Sequence, residues 1–172
     1  ILSSIRKHTQ DRVIIVSNFT STLNLLQRYC VRQKFPFLRL DGRTKADVRS
    51  KMVNEFNSDS GSDHLGKQPF VFLLSSKSGG VGLNLIGANR LILFDSDWNP
   101  ATDRQAMARI HRDGQLKPCF IYRLLLVGSM DEKIYQRQIT KIGLSDSLMS
   151  NETAKDNDVA TSSDTFSQEE LR

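Results

Sequence analysis

Cysteine and proline are scarce in this 172-residue chain, with two of the first and four of the second. Cys30 and Cys119 lie far apart and match neither a zinc-ligand nor a CxxC spacing, so no disulfide framework or thiolate metal site is expected. Buried, reduced thiols are the simpler reading. The three histidines, His8, His64 and His111, are scattered and form no metal-binding spacing with acidic residues. No apolar run approaches the ~20 residues of a membrane-spanning helix, so no membrane partner is expected. A basic-then-apolar leader is missing too. The chain opens on Ile1 rather than Met, which suggests a piece of a longer protein. GxSxG is absent, and so is GxxxxGK[ST]: the one Gly-Lys pair, Gly66-Lys67, runs into Gln68. A nucleophile-elbow hydrolase and a self-sufficient phosphate-loop nucleotidase are thereby excluded. Any phosphate chemistry must be completed by groups outside this chain.

What is present is basic charge, unevenly placed. Residues 1–144 carry 22 Lys+Arg against 12 Asp+Glu, whereas 145–172 carry 2 against 7. A basic body attracts polyanions, nucleic acid above all, though a solvated basic surface without a partner gives the same composition. The terminal segment 145–172 is rich in Ser, Thr, Asp and Asn and holds one aromatic, Phe166. It has too little apolar surface to offset ordering entropy, and is expected to be an acidic, mostly disordered tail.

The body alternates short β-branched or apolar runs with helical periodicity. Strands are expected over 13–17, 37–40, 70–74, 91–94 and 120–126. Helices are expected over 20–32, 44–56, 101–112 and 129–142, where apolar residues recur three or four apart. Strands without in–out alternation, joined by helices, predict an α/β protein: a parallel sheet with helices on both faces. Thr20 or Ser21 can cap the second helix, Thr44 with Asp47 suggests a capping box, and Pro100 suits a first helical turn. The polar stretch 57–69 reads as an inserted loop.

Two segments could carry chemistry. SSKSGGVGLNL, 75–85, follows the run FVFLL directly. A glycine-rich turn after a parallel strand lets backbone N–H groups approach a phosphate, with Ser75, Ser76 and Lys77 adding donors. Gly79, Gly80 and Gly82 fit a tight unliganded turn equally well. DSDWNPATDRQAMARIHRDGQ, 95–115, places Gln105, Arg109 and Arg112 at i, i+4 and i+7, one face of the expected helix. Two guanidiniums without an acidic partner at the same spacing suit a phosphate chain, although surface ion pairs with Asp103 or Asp113 are the commoner use of such residues. Trp98, between Asp97 and Asn99 beyond a strand end, is by position alone a core residue.

In order, VIIVSNFT (13–20), RLDGRT (39–44), LLSSKSGGVGLNL (73–85), QAMARIHRDGQ (105–115) and YRLLLVGSMDEKIYQRQITKIGL (122–144) resemble the blocks of the second RecA-like lobe of Swi/Snf-type DNA-dependent ATPases. The likeness covers about 13–144. RIHRDGQ, SNFTSTLNLLQ and LNLIGANRLILFD resemble the recombination-repair branch, the double-strand DNA translocases, and the sixth block is worded most like the branch's meiosis-associated fungal member. Most chromatin remodellers of the family carry Ile where this chain has Asp113.

The resemblance implies a RecA-like three-layer fold over 13–144, preceded by a lead-in helix within 1–12. It implies that Arg109 and Arg112 reach across an interlobe cleft to the ATP γ-phosphate, with Arg112 as the finger and Gln105 near the same phosphate. Gly82 and Asn84 would face nucleotide; many proteins outside the family have Asp where this chain has Asn84. Ser76, Lys77 and Trp98 would contact DNA, with Asn18 and Arg43 as further backbone contacts. ATP with magnesium would be bound mainly by an N-terminal lobe not in this chain, so the chain alone is expected to be inactive. Double-stranded DNA, a RecA-like recombinase and chromatin are the implied partners, and the nucleus the implied location. The rival readings are the equivalent lobe of a chromatin remodeller or an RNA helicase, and a stand-alone α/β module holding a small phosphate ligand.

Overall fold

The computed structural model describes residues 1–58, 68–78 and 83–153, with side chains described to 144. The chain divides into two units, 1–138 and 139–172. In the first, the expected alternation is realised as α1 (Leu2–His8), β1 (Val13–Ser17), α2 (Thr20–Arg32), β2 (Phe37–Leu40), α3 (Ala46–Asn57), β3 (Val71–Ser75), β4 (Arg90–Leu93), α4 (Pro100–Met107) and β5 (Phe120–Arg123). The last helix, α5 (Met130–Thr153), begins in the first unit and supplies the described part of the second.

All strand pairings are parallel, in the order β2-β3-β1-β4-β5. The central strand β1 is buried along its whole length. Its side chains split between two cores. Ile14 and Val16 join Phe72, Leu74, Leu91 and Leu93 on one face, covered by Phe56 of α3, Ala106 of α4 and Ile110. Val13 and Ile15 join Val71, Leu73 and Ile92 on the other, covered by Leu2 and Ile5 of α1 and by Leu23 and Cys30 of α2. This two-sided burial is why the strands read as unbroken apolar runs, and it is the RecA-like α/β arrangement expected. Both cysteines are free, and burial pushes the Cys30 thiol up to about 11.

Local signals fared unevenly. Asn99 caps α4 through a bond from the Ala101 N–H at 3.0 Å, with Pro100 in the first turn as expected. Phe19, not Thr20 or Ser21, is the N-cap of α2, and no side chain caps it. The capping box at Thr44 is not formed either. Lys45 is the N-cap of α3, and the Thr44 hydroxyl instead accepts the Asp41 N–H at 3.1 Å, closing the turn after β2. Helix α5 runs to Thr153, nine residues into the segment expected as a tail. That boundary therefore moves, while 154–172 lies outside the described residues. So does 59–67, most of the expected insertion.

Gly87 sets a hard packing limit. A Cβ there would lie 2.3 Å from the Phe56 carbonyl oxygen and 2.9 Å from the Asn57 Cα, both backbone atoms. At Gly42, by contrast, the nearest atom is the Ser78 Oγ at 3.6 Å. Gly87→Ala should therefore lower unfolding stability by about 1–3 kcal/mol. Gly42→Ala should stay within about 0.5 kcal/mol of wild type, as checked by urea unfolding of the two variants.

Candidate nucleotide and nucleic-acid interface

Because every strand runs the same way, all carboxyl ends open on one edge of the sheet, where ligands of open α/β folds collect. Residues following β1, β2, β3 and β4 meet there. The Ser17 hydroxyl donates to Asp95 Oδ2 at 2.5 Å, and the Asn18 N–H to Asp95 Oδ1 at 2.6 Å. The Ser76 N–H donates to the Ser17 carbonyl at 3.0 Å, and its hydroxyl to Asn18 Oδ1. Asn18 and Ser76 are thus brought together, and Lys77 stands exposed beside them. Burial pushes the Asp95 carboxyl above its usual range, against the opposing effect of these donors. Asp95 escaped the sequence reading because nothing in its local pattern marks a carboxylate that clips two strand ends together.

Arg43 is exposed in the turn after β2, where its N–H donates to Asp41 Oδ1 at 3.0 Å. Arg49 fastens this turn to the end of β3, donating to the Thr44 carbonyl at 2.8 Å and the Ser78 carbonyl at 3.2 Å. Trp98, beyond β4, is 49% exposed, so it is not the core residue that its position suggested. The Arg137 guanidinium lies 5.6 Å from its ring centroid.

The loop carrying Trp98 is held from below by a buried polar knot. Asp103 and Gln138 are 3% and 2% exposed. Asp103 Oδ2 accepts from Arg123 at 2.7 Å and from Gln138 at 2.9 Å, and Gln138 also donates to the Asp97 carbonyl. Asp103 was weighed only as a surface partner for the motif arginines. It instead serves a β5 arginine 20 residues away.

Arg109 and Asn84 belong to a second group, on the sheet face covered by Phe56, Ala106 and Ile110. The helix expected through Arg112 ends at Met107. Beyond it the chain tightens into a turn with Arg109 N–H to Ala106 O and Ile110 N–H to Met107 O bonds, at 3.2 and 3.3 Å. Gln105, Arg109 and Arg112 therefore do not share a helix face. Gln105 is exposed on α4, Arg112 is exposed in the following bend, and Arg109 turns inward.

The inward turn is stitched in place. Gln115 Nε2 donates to the carbonyls of Ile86, Ala88 and Ile110 at 3.2, 2.8 and 3.2 Å. Gly114 takes a φ of +95°, which a side chain would resist. The Leu85 N–H donates to the Arg109 carbonyl at 3.1 Å, so Asn84 and Arg109 lie on adjoining stretches of chain. Asn57 completes the frame, donating to the Asn84 carbonyl and accepting the Gly87 N–H. Arg109 is 9% exposed, its Nη1 has no hydrogen-bond partner, and burial lowers its pKa. Asn84 Oδ1 is likewise buried without a partner. Buried donors and acceptors are almost always satisfied, so two orphans on adjoining segments mark a place prepared for something polar. Gly82, with Gly79 and Gly80 of the same turn, lies outside the described residues.

Residues 1–114 match the family model described as the helicase conserved C-terminal domain. The chain is 54% identical over 144 residues to Protein CHROMATIN REMODELING 25 of Arabidopsis thaliana, covering 84% of this chain and 15% of that protein. It is equally similar to the DNA repair and recombination protein RAD54 of Oryza sativa subsp. japonica, 54% identical over 144 residues, covering 84% of this chain and 14% of that protein. It is 52% identical over 152 residues to the human DNA repair and recombination protein RAD54-like, covering 88% and 20%. Among solved structures, the C-terminal part of the Fun30 ATPase domain superposes with a TM-score of 0.70 at 40% identity, covering 78% of this chain and 40% of that one. The chain thus spans only 14 to 20% of the length of these curated relatives. It belongs to the helicase C-terminal domain family, and its relatives agree with the Swi/Snf-type, recombination-repair resemblance of its motifs.

The Asp103 knot is testable by itself. Removing one partner of a buried ion pair leaves the other uncompensated. Asp103→Ala should lower unfolding stability by about 3 kcal/mol in urea denaturation, whereas the exposed Asp113→Ala should shift it by less than about 0.5 kcal/mol.

Proposed function

We propose that this chain is the C-terminal motor lobe of an ATP-dependent double-strand DNA translocase acting in homologous recombination and DNA repair, in the nucleus and in meiosis. The observation that carries the reading is Arg109: a guanidinium nine-tenths buried, with one nitrogen left unpartnered, framed by the two segments that match the family's fifth and sixth blocks. A desolvated cation costs stability in an isolated domain. A phosphate chain presented by a facing lobe would repay that cost.

The residues present fit such a group. Arg109, Arg112 and Gln105 offer donors and positive charge, which suits the γ-phosphate of ATP held with magnesium by another lobe of the full protein. The bound nucleotide would supply a phosphoryl group whose developing charge needs stabilising. Arg112, exposed beyond the turn, would provide that charge as an arginine finger, and Arg109 would hold the phosphate side of the cleft. Asn84 would face the nucleotide beside Arg109. At the strand-end edge, Ser76, Lys77, Asn18 and Arg43 would grip a DNA strand through its phosphates without reading bases, and Trp98 would press against the duplex. Grip on one edge and phosphate sensing on one face suit a lobe that advances along duplex DNA as a cleft opens and closes. A RecA-like recombinase is the partner this reading implies. The name of the Arabidopsis relative favours chromatin as a second substrate.

In the full-length protein, Arg112→Ala should lower DNA-stimulated ATP turnover by about 10³-fold or more, the usual scale for a lost arginine finger, while duplex binding stays near wild type. Equal loss of both would overturn the assignment. The 172-residue chain should show no turnover of its own in a phosphate-release assay. Stimulation of the full protein by recombinase filaments rather than by nucleosomes would separate the repair reading from a remodeller.

A further inference from the structure

The flank formed by α2 and the edge strand β2 carries a groove of about 490 Å³ lined by Asn24, Gln27, Arg28, Val31, Arg32 and Arg39. None of these residues belongs to the blocks assigned to nucleotide, and none is among the strand-end contacts. Arg28 and Arg32 stand one helical turn apart on the same face of α2, and both are exposed. Among the described residues, neither forms an ion pair. Arg39 reaches across from β2 and is fixed from several sides. Its Nη1 donates to Asn24 Oδ1 and Gln27 Oε1, both at 2.7 Å, and it pairs with Asp41 Oδ2 at 2.9 Å.

These bonds decide the polarity of the groove. The carboxamide oxygens of Asn24 and Gln27 are taken by Arg39, which turns their NH₂ groups outward as donors. Asp41, the one nearby carboxylate, already accepts from Arg39 and from the Arg43 N–H. The lining therefore offers two uncommitted guanidiniums and two amide donors against almost no acceptor. Its ligand must be an anion with several acceptor oxygens.

Position narrows the class. Helix α2 starts two residues beyond Asn18, and Arg39 lies four residues before Arg43, so the groove adjoins the carboxyl edge of the sheet. Planar guanidiniums match the oxygens of a phosphodiester, and the i, i+4 spacing holds the two Cβ atoms about 6 Å apart. The geometry points to a second phosphodiester-binding surface: this groove receives the backbone of the same duplex after it leaves the strand-end grip, with Arg28 and Arg32 each neutralising a phosphate. The inference rests on the DNA-gripping reading above and extends the footprint around the α2 flank.

Fluorescence anisotropy of a labelled duplex of two to three helical turns, titrated with the 172-residue chain over a salt series, tests it. Each phosphate contact adds about 0.9 to the slope of log K against log salt. The double variant Arg28→Ala/Arg32→Ala should therefore reduce the slope by about 1.8, with its thermal melt retained because both side chains are exposed. Lys7→Ala/Lys117→Ala removes the same charge from the opposite edge of the sheet and should leave the slope unchanged. An unchanged slope in the groove variant overturns the proposal, as does an equal fall in both. So does a wild-type chain that binds polyglutamate in competition with the duplex at this groove alone. A third variant, Arg43→Ala/Lys77→Ala, separates the two readings. If it weakens binding while the groove variant does not, only the groove fails. If the groove variant weakens binding while the third does not, the strand-end grip fails.

Discussion

Burial of the Arg109 guanidinium is the constraint around which this domain is arranged. An arginine held in a water-poor setting with an unpartnered nitrogen is stable only if the backbone around it is fixed elsewhere. That fixing comes from ordinary parts. Gln115 spends one NH₂ group on three carbonyls, Asn57 spans a carbonyl and an N–H, and Gly87 lets two backbones approach closer than any side chain would allow. The apolar cover from Phe56, Ala106 and Ile110 then excludes water from the same spot.

The two sites differ in how they are built. The phosphate-facing group is buried, donor-rich and locked by a turn. The strand-end edge is half open and organised by one carboxylate, Asp95, which ties β1 to the chain leaving β4. With Asp95 committed to Ser17 and Asn18, the exposed Lys77 and Arg43 dominate what that edge presents to solvent. A basic edge without base-reading groups in fixed positions suits a polymer that must slide.

How much of this was readable in the sequence follows from the range of each interaction. Strands β1 and β2 and helix α2 end where apolar periodicity ends, because two-sided burial leaves its mark on every residue of a strand. The motif blocks identified Arg109, Asn84, Asn18 and Ser76 as functional, and folding brings Asn84 beside Arg109 and Asn18 beside Ser76. Periodicity misjudged the end of α4, since the turn at Ala106–Ile110 is imposed by Gln115 from further along the chain. It also placed Trp98 in the core, because a lone Trp after a strand carries no sign of which way the loop turns. Thr44 looked like a cap for the same reason: its hydroxyl had two nearby uses, and the turn to Asp41 won. Asp95, Asp103 and Gln138 were silent, as polar residues serving partners tens of positions away leave no local pattern.

The knot below Trp98 has a mechanical meaning. The carbonyl of Asp97 is gripped by Gln138, Gln138 shares Asp103 with Arg123, and Arg123 stacks against the Tyr135 ring. The indole consequently sits on a rigid bumper instead of a flexible finger. The entropy of ordering its loop is spent during folding, so each encounter with a passing strand begins from a surface already in shape.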